Sequence, residues 1–455
     1  MIAARRELFH NTSMTEGSIS GSLLSFAFPL FLGQLLQQMY IMADAWVIGN
    51  FADNDAFAAV SSGGSLTFLV IGFFSGIAVG GGVVISRCYG AGNMENTRRA
   101  IHTNFLIGLL ASLFATGIGL FLIPQILRLM KTPDSVLPYS LAYFRVYFAG
   151  VSTVIMYNIG TAILQALGDS LHPLIYLAVS SAANVVMDIL FVAVFHWGVT
   201  GAALATVISQ GISAILCIVH LLRGQEETKL CLKELRFDGR MIKNVISQGL
   251  PTGIQNAVIS LGNTVIQSNV NAFGAYAMSG HGAYSRLEGI VFLPISSMSM
   301  SLPTFVSQNL GAGKPDRARK GALFGTVFGT VLAELCGLVM YYAIPGLLHF
   351  FTESEEAIRF GVIHCRTVCF FFCLLAFSHC CAGTLRGCGK SVIPMVVMLG
   401  IWCGFRILYV TVAVRFFPVY RTVAAAYPIT WSISSVLYLI SVLRLNWNEA
   451  AHNLT

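Results

Sequence analysis

The chain has 455 residues, of which 56% are hydrophobic and only 10% charged. Soluble domains carry about 25% charged residues, so 27 Lys and Arg with 20 Asp and Glu cannot clothe several water-exposed cores. This excludes an ordinary soluble enzyme, a nucleic-acid-binding protein and a disordered chain, and leaves a polytopic membrane protein.

In chain order, residues 1–17 are polar, carry Arg5, Arg6, Glu7 and Glu16, and lead into no A-x-A site. A cleaved secretory signal is therefore not expected. Apolar runs long enough to cross about 30 Å of hydrocarbon follow at 20–48, 56–86, 99–127, 138–163, 171–195, 199–222, 244–271, 278–308, 320–348, 357–384, 391–415 and 422–444. They are long and continuously apolar, unlike the short alternating strands of a β-barrel. The expected architecture is all-α, with twelve transmembrane helices. Cys365, Cys369 and Cys373 recur on one helix face inside such a run and read as small apolar fillers.

Alternating the loops between two sides of the membrane separates the charges. One side collects Arg5, Arg6, Arg87, Arg98, Arg99, the basic stretch from Arg223 to Lys243, Lys314, Arg317, Arg319, Lys320, Arg386, Lys390 and Arg444. The other side holds only Arg128, Lys131, Arg359, Arg415 and Arg421, with acids at Asp53, Asp55, Glu353, Glu355 and Glu356. The positive-inside rule then puts both termini in the cytoplasm. The net charge of +7 reports orientation, not a nucleic-acid partner.

The chain also repeats itself at an offset of 221 residues. Gly90, Ala91 and Gly92 match Gly311, Ala312 and Gly313; Glu95 matches Asp316, Arg98 matches Arg319, and Gly168, Ser170 and Pro173 match Gly389, Ser391 and Pro394. Each half has six spans, so both enter from the same side. This predicts two parallel-repeat six-helix bundles around a central cleft, as in transporters that alternate access. The expected division is an N-terminal lobe at 1–223, a cytoplasmic linker at 224–243 and a C-terminal lobe at 244–455.

The matched loops carry a resemblance. GAGNMENTRRA after span two and GAGKPDRARK after span eight resemble the paired cytoplasmic loops of the multidrug and toxic compound extrusion (MATE) family. MADAWVIGNF, LQALGDSLHP and LEGIVFLPISS also resemble segments of that family, and the likeness runs from about Ser18 to Arg444. The detail looks most like the bacterial DinF-like branch. Ala45 stands where Thr is common, and Gln165 where Arg is common.

Four acids fall inside the predicted spans: Asp44, Asp188, Glu288 and Glu334. A carboxylate at the bilayer centre costs roughly 2.5–3.5 kcal/mol on insertion scales, so each is a functional candidate. Gln37, Tyr40 and Asp44 form one polar stripe at helical spacing; Ser181, Asn184 and Asp188 form a second, and Thr206, Gln210 and Ser213 a third. Such faces point into the bundle or a wet cavity. The resemblance implies that Asp44, Asn184, Asp188 and Thr206 are the cation-coupling site, taking a proton or a sodium ion. Gln37, Tyr40, Asn158, Gln210 and Glu288 are candidates for the substrate cleft. At the 221 offset Asp188 maps to Tyr409 and Asn184 to Phe405, so coupling is expected in the first half alone. Glu288 and Arg406 either pair structurally, or Glu288 meets cationic substrate.

No Walker loop and no H-E-x-x-H pairing occur, so the chain is not read as an enzyme and needs no cofactor. The expectation is a monomeric antiporter of the bacterial inner membrane. By resemblance, it would export organic, often cationic amphipathic compounds in exchange for protons or sodium ions. A lipid-linked oligosaccharide flippase is the nearer rival, although it would favour a cationic cleft for pyrophosphate. A non-transporting intramembrane enzyme or receptor-like protein is the more distant one.

Overall fold

A computed structural model describes residues 14–129 and 132–452; Arg5, Arg6 and Lys131, used above for orientation, lie outside the described residues. Within hydrocarbon every backbone donor and acceptor has to be satisfied inside its own segment, which leaves the helix as the solution for long apolar runs. The helices are α1 (Ile19–Phe51), α2 (Asn54–Gly90), α3 (Met94–Leu129), α4 (Leu137–Ala149), α5 (Val151–Ala166), α6 (Leu171–Asp188) and α7 (Gly198–Arg223). The second series is α8 (Gly239–Asn271), α9 (Ala275–Gly311), α10 (Pro315–Leu348), α11 (Glu355–Val368), α12 (Phe372–Gly387), α13 (Val392–Val397), α14 (Arg406–Phe416), α15 (Tyr420–Leu443) and α16 (Trp447–His452). Wide π-helical turns follow α6 at Ile189–Val194 and join α13 to α14 at Met398–Phe405.

Ten of these segments are long and apolar enough to cross a membrane, and α4 with α5, bent by 47°, adds an eleventh. The expected seventh span is α8. It has 33 residues, long enough to cross, but Asn244, Gln248, Gln255, Asn256 and Asn263 lower its apolarity. Twelve helical spans are consistent with this arrangement.

The internal duplication is legible in the backbone. The ends of α2, α3 and α5 recur 221 residues later at the ends of α9, at the start of α10 and at the end of α12. Span four is interrupted in both halves, at Gly150 and at Cys369–Phe371. Gly92 and Gly313 both turn the chain through the left-handed region, at φ 66° and 67°, as do Gly168 at 94° and Gly389 at 76°. These turns even repeat their hydrogen bonds. Asp169 N donates to Leu164 O at 3.0 Å, and Lys390 N to Leu385 O at 2.9 Å.

Two compact units emerge. One contains Leu32–Gly253, the other Met14–Phe31 with Ile254 onward. This differs from the sequence boundaries of 1–223, 224–243 and 244–455. The start of α1 packs within the second unit, where Leu23, Phe26 and Leu30 meet Met298, Leu302 and Phe305. The segment expected as a linker is held to the first unit: Arg98 reaches Glu234 at 2.7 Å, and Cys231 N donates to His102 Nε2 at 2.9 Å. Both divided helices change unit just after a proline, Pro29 in α1 and Pro251 in α8, where a backbone hydrogen bond is missing.

Candidate functional site

The first unit gathers its intramembrane acids. Asp44 comes from the last turns of α1 and Asp188 from the last residue of α6, where the π-helical turn begins. Such turns are rare and concentrate at functional positions. The two carboxyl groups lie within hydrogen-bonding reach of each other. Asn184, one turn before Asp188, touches both: with its amide nitrogen turned toward them, it donates to Asp44 Oδ1 at 2.8 Å and Asp188 Oδ2 at 3.0 Å. The Tyr40 hydroxyl is in reach of Asp44 and of Thr206 on α7. Asn184 and Asp188 are 0% and 1% exposed, while Tyr40 and Asp44 are half-buried, so the cluster is a largely buried polar island.

Packing explains why the helices converge here. A Cβ at Gly33 of α1 would lie 3.9 Å from the side chains of Leu174 and Leu177 of α6. Val47 and Ile48 of α1 pack with Val192 and Ala202. Gly201 of α7 fits against Phe191, where a Cβ would come within 2.9 Å of the Phe191 Cβ.

The expected cleft residues divide. Tyr40 joins the acids. Gln210 is buried with its Oε1 unpartnered. Asn158 donates to Val154 O on its own helix at 2.8 Å, and Gln37 is exposed. Glu288 belongs to the second unit, beside Tyr284 and within the electrostatic reach of Arg406. Of the two alternatives for Glu288, the structural pair with Arg406 does not form as a direct ion pair among the described residues. Arg406 instead donates to Thr430 Oγ1 at 2.8 Å and lies over the rings of Trp402 and Tyr427 at 5.1 and 4.7 Å. Cation–π contacts satisfy a planar guanidinium well, which leaves Glu288 without it. Glu334 of α10 accepts from Cys373 N at 3.1 Å, just after the break in span four.

Sequence reasoning missed Tyr143 of α4, which is within electrostatic reach of both acids. It stands in an apolar stretch and no spacing links it to Asp44. Among the described residues the second half carries no equivalent cluster. Phe405 and Tyr409, at the positions of Asn184 and Asp188, stack on each other at 6.4 Å.

Chemically, two facing carboxyls with one amide have two modes. They share a proton, because two like charges at this distance resist full ionisation. Alternatively, their oxygens gather round a hard cation, with the amide turned to present its oxygen and Thr206 adding a hydroxyl. Asp188 Oδ1 is buried and unpartnered, so acceptor capacity remains open.

The MatE family matches residues 29–190 and 251–412, one stretch in each half. The chain belongs to the MatE family. Among relatives in Bacillus subtilis (strain 168), the probable multidrug resistance protein YpnP is 26% identical over 385 residues, covering 85% of this chain and 86% of the relative. YoeA, also called a probable multidrug resistance protein, is 27% identical over 436 residues, covering 93% of each chain. A crystal structure of MATE in complex with MaL6 shares the fold at a TM-score of 0.90 and 19% identity, covering 97% of this chain and 99% of that one. MatE membership makes the chain a multi-pass membrane transporter rather than an enzyme.

Proposed function

We propose that this MatE protein is a secondary antiporter that exports organic, often cationic amphipathic compounds in exchange for protons or sodium ions. The observation that carries the reading is the buried contact of Asp44, Asn184 and Asp188, with an open acceptor at Asp188 Oδ1. Ion entry there would change the charge of the island and rearrange the first lobe, displacing an outward-facing substrate. Each charge moved inward releases about 2.3 kcal/mol per 100 mV, against about 1.4 kcal/mol for tenfold accumulation. With a neutral substrate one ion per cycle therefore suffices; a monovalent cation carries one charge outward, so two ions are needed to leave one net charge moving inward. Asp44, Asn184, Asp188 and Thr206 form the coupling site in this reading. The protein acts as a monomer in the bacterial inner membrane, with both termini cytoplasmic in keeping with its basic loops.

The test is efflux of a fluorescent organic cation from vesicles under separately imposed proton and sodium gradients. Export driven by either gradient supports the reading. Export that follows neither, or that needs ATP, overturns it.

A further inference from the structure

LQALGDSLHP, one of the segments singled out in the sequence, closes the loop between α5 and α6, and it places a second set of chemistry-bearing side chains in the first unit. We propose that Asp169, His172 and His220 form a binding site for a zinc-type divalent transition cation where the end of α5, the start of α6 and the end of α7 meet. One ligand atom from each residue lies within 4.8 Å of the others. His172 Nδ1 is 2.6 Å from Asp169 Oδ2, and His220 Nε2 is 4.0 Å from the same oxygen. Around tetrahedral zinc, with bonds of about 2.0–2.1 Å, ligand atoms sit roughly 3.3–3.5 Å apart. The present distances bracket that value, so side-chain shifts below about 1 Å complete the site.

The surroundings fit a metal centre. Asp169 spends its other oxygen on the backbone: Oδ1 accepts from Leu171 N at 3.1 Å and His172 N at 3.0 Å. That fixes the carboxylate and leaves Oδ2 for a ligand. His220 Nδ1 is 2.7 Å from the Tyr176 hydroxyl. A metal on Nε2 requires the proton on Nδ1, and Tyr176 is placed to accept it. Such an outer hydrogen bond is the usual means of orienting a metal-bound imidazole. Two imidazoles with one carboxylate favour zinc-type cations over calcium or magnesium, which take oxygen. The side chains are reachable, with His172 33% and His220 28% exposed, and they border a cavity of about 440 Å³ that leaves room for a fourth ligand. Arg223 lines the same cavity and opposes a cation, so the imidazoles carry the affinity.

The repeat supplies an internal control. The equivalent turn in the second half has the same hydrogen bond and the same left-handed glycine. Yet it carries Lys390, Ile393 and Ser441 where this one carries Asp169, His172 and His220. The turn itself therefore does not demand the three ligands.

The experiment is Zn²⁺ titration of the full chain, purified in detergent and stripped with chelator, followed by calorimetry, with Co²⁺ as a spectroscopic substitute. The expected result is one Zn²⁺ per chain, and weak visible Co²⁺ bands without the strong near-ultraviolet thiolate charge transfer. Binding is expected to be lost in the H172Q/H220Q double variant and weakened by roughly tenfold or more in Tyr176→Phe. H172Q and H220Q are also titrated singly, so that misfolding of the double variant leaves the question answerable. Absence of binding, binding unchanged in the histidine variants, or a thiolate band from the cysteines would each overturn the site.

Discussion

Asp44 and Asp188 meet from different helices, with the single amide of Asn184 in reach of both. Neither acid is placed to ionise independently of the other, because each is the other's nearest charge in a buried setting. Asp44→Asn and Asp188→Asn keep the size and hydrogen-bonding ability of the side chain while removing the titratable group. Each is expected to abolish gradient-driven efflux and leave membrane insertion intact. Dye export from vesicles, alongside the amount of protein in the membrane fraction, checks this. Export against a gradient by both variants would show that the ion couples elsewhere.

Asn184→Leu separates positioning from titration. The leucine keeps volume but leaves both carboxyls without the bridging amide, and a buried polar group without a partner costs about 1–3 kcal/mol. The acids remain, so coupling is expected to survive with a shifted pH dependence of efflux rather than to vanish. A pH profile identical to that of the unmodified protein would mean that the amide does not contact the acids in the working state.

Gly92 and Gly313 make the same turn in the two halves, and a Cβ at either position meets nothing within 4 Å. Their cost on substitution is then conformational alone. Gly92→Ala and Gly313→Ala should each destabilise by about 1–2 kcal/mol, and the Asn variants by less, since Asn tolerates this region. Thermal unfolding in detergent measures both. Equal losses in the two copies are expected, and an unaffected melting temperature would show that the turn relaxes.

The repeat could be read from sequence because turns need particular residues at particular places, and Gly92, Gly168, Gly313 and Gly389 keep one spacing. Asp44 and Asp188 were conspicuous because a charge in an apolar run has few structural uses. The missing parts were tertiary. Nothing in the spacing of Tyr143 brings it within electrostatic reach of the acids. Arg406 looked like a partner for Glu288 because charge is visible in sequence, while the flanking faces of Trp402 and Tyr427 are not. The unit boundaries also fell inside α1 and α8, since a helix gives no local sign that its two ends pack against different neighbours.

Gly80 tests packing where no side chain can yield. A Cβ there would lie 2.2 Å from the Cα and backbone N of Gly249. Even alanine therefore forces α2 and α8 apart, and overpacking of this kind costs about 1–3 kcal/mol. Gly117→Ala is the matched control, because its Cβ meets nothing within 4 Å in the middle of α3. There alanine should raise stability slightly, through its better helix propensity. The same melting temperature for both variants would contradict the close approach.

Arg317 holds the approach to α1 together with Asn309, whose Nδ2 donates to Met14 O at 3.0 Å, and Lys314, whose Nζ donates to Thr15 O at 3.0 Å. Its guanidinium donates to Glu16 O at 2.6 Å and Gly17 O at 2.7 Å, with longer contacts of 3.4 Å to Met14 O. The first half has a counterpart of different chemistry, in which Arg98 and Arg99 face Glu234 and Asp238 ahead of α8. Carbonyl oxygens carry no charge to attract a lysine once its geometry is lost, and a planar fork serves several acceptors at once. Arg317→Lys should therefore loosen Glu16 and Gly17 nearly as much as Arg317→Ala does, while Asn309 and Lys314 still hold Met14 and Thr15. Arg98→Lys should instead preserve most of its exposed ion pair, which is worth at most about 1 kcal/mol. Hydrogen exchange of the amides before α1 and before α8 reads the two separately. Faster exchange before α1 in both Arg317 variants, with little change before α8 in Arg98→Lys, is the expected pattern. Retained protection in Arg317→Lys would mean that charge, not the fork of donors, anchors the segment.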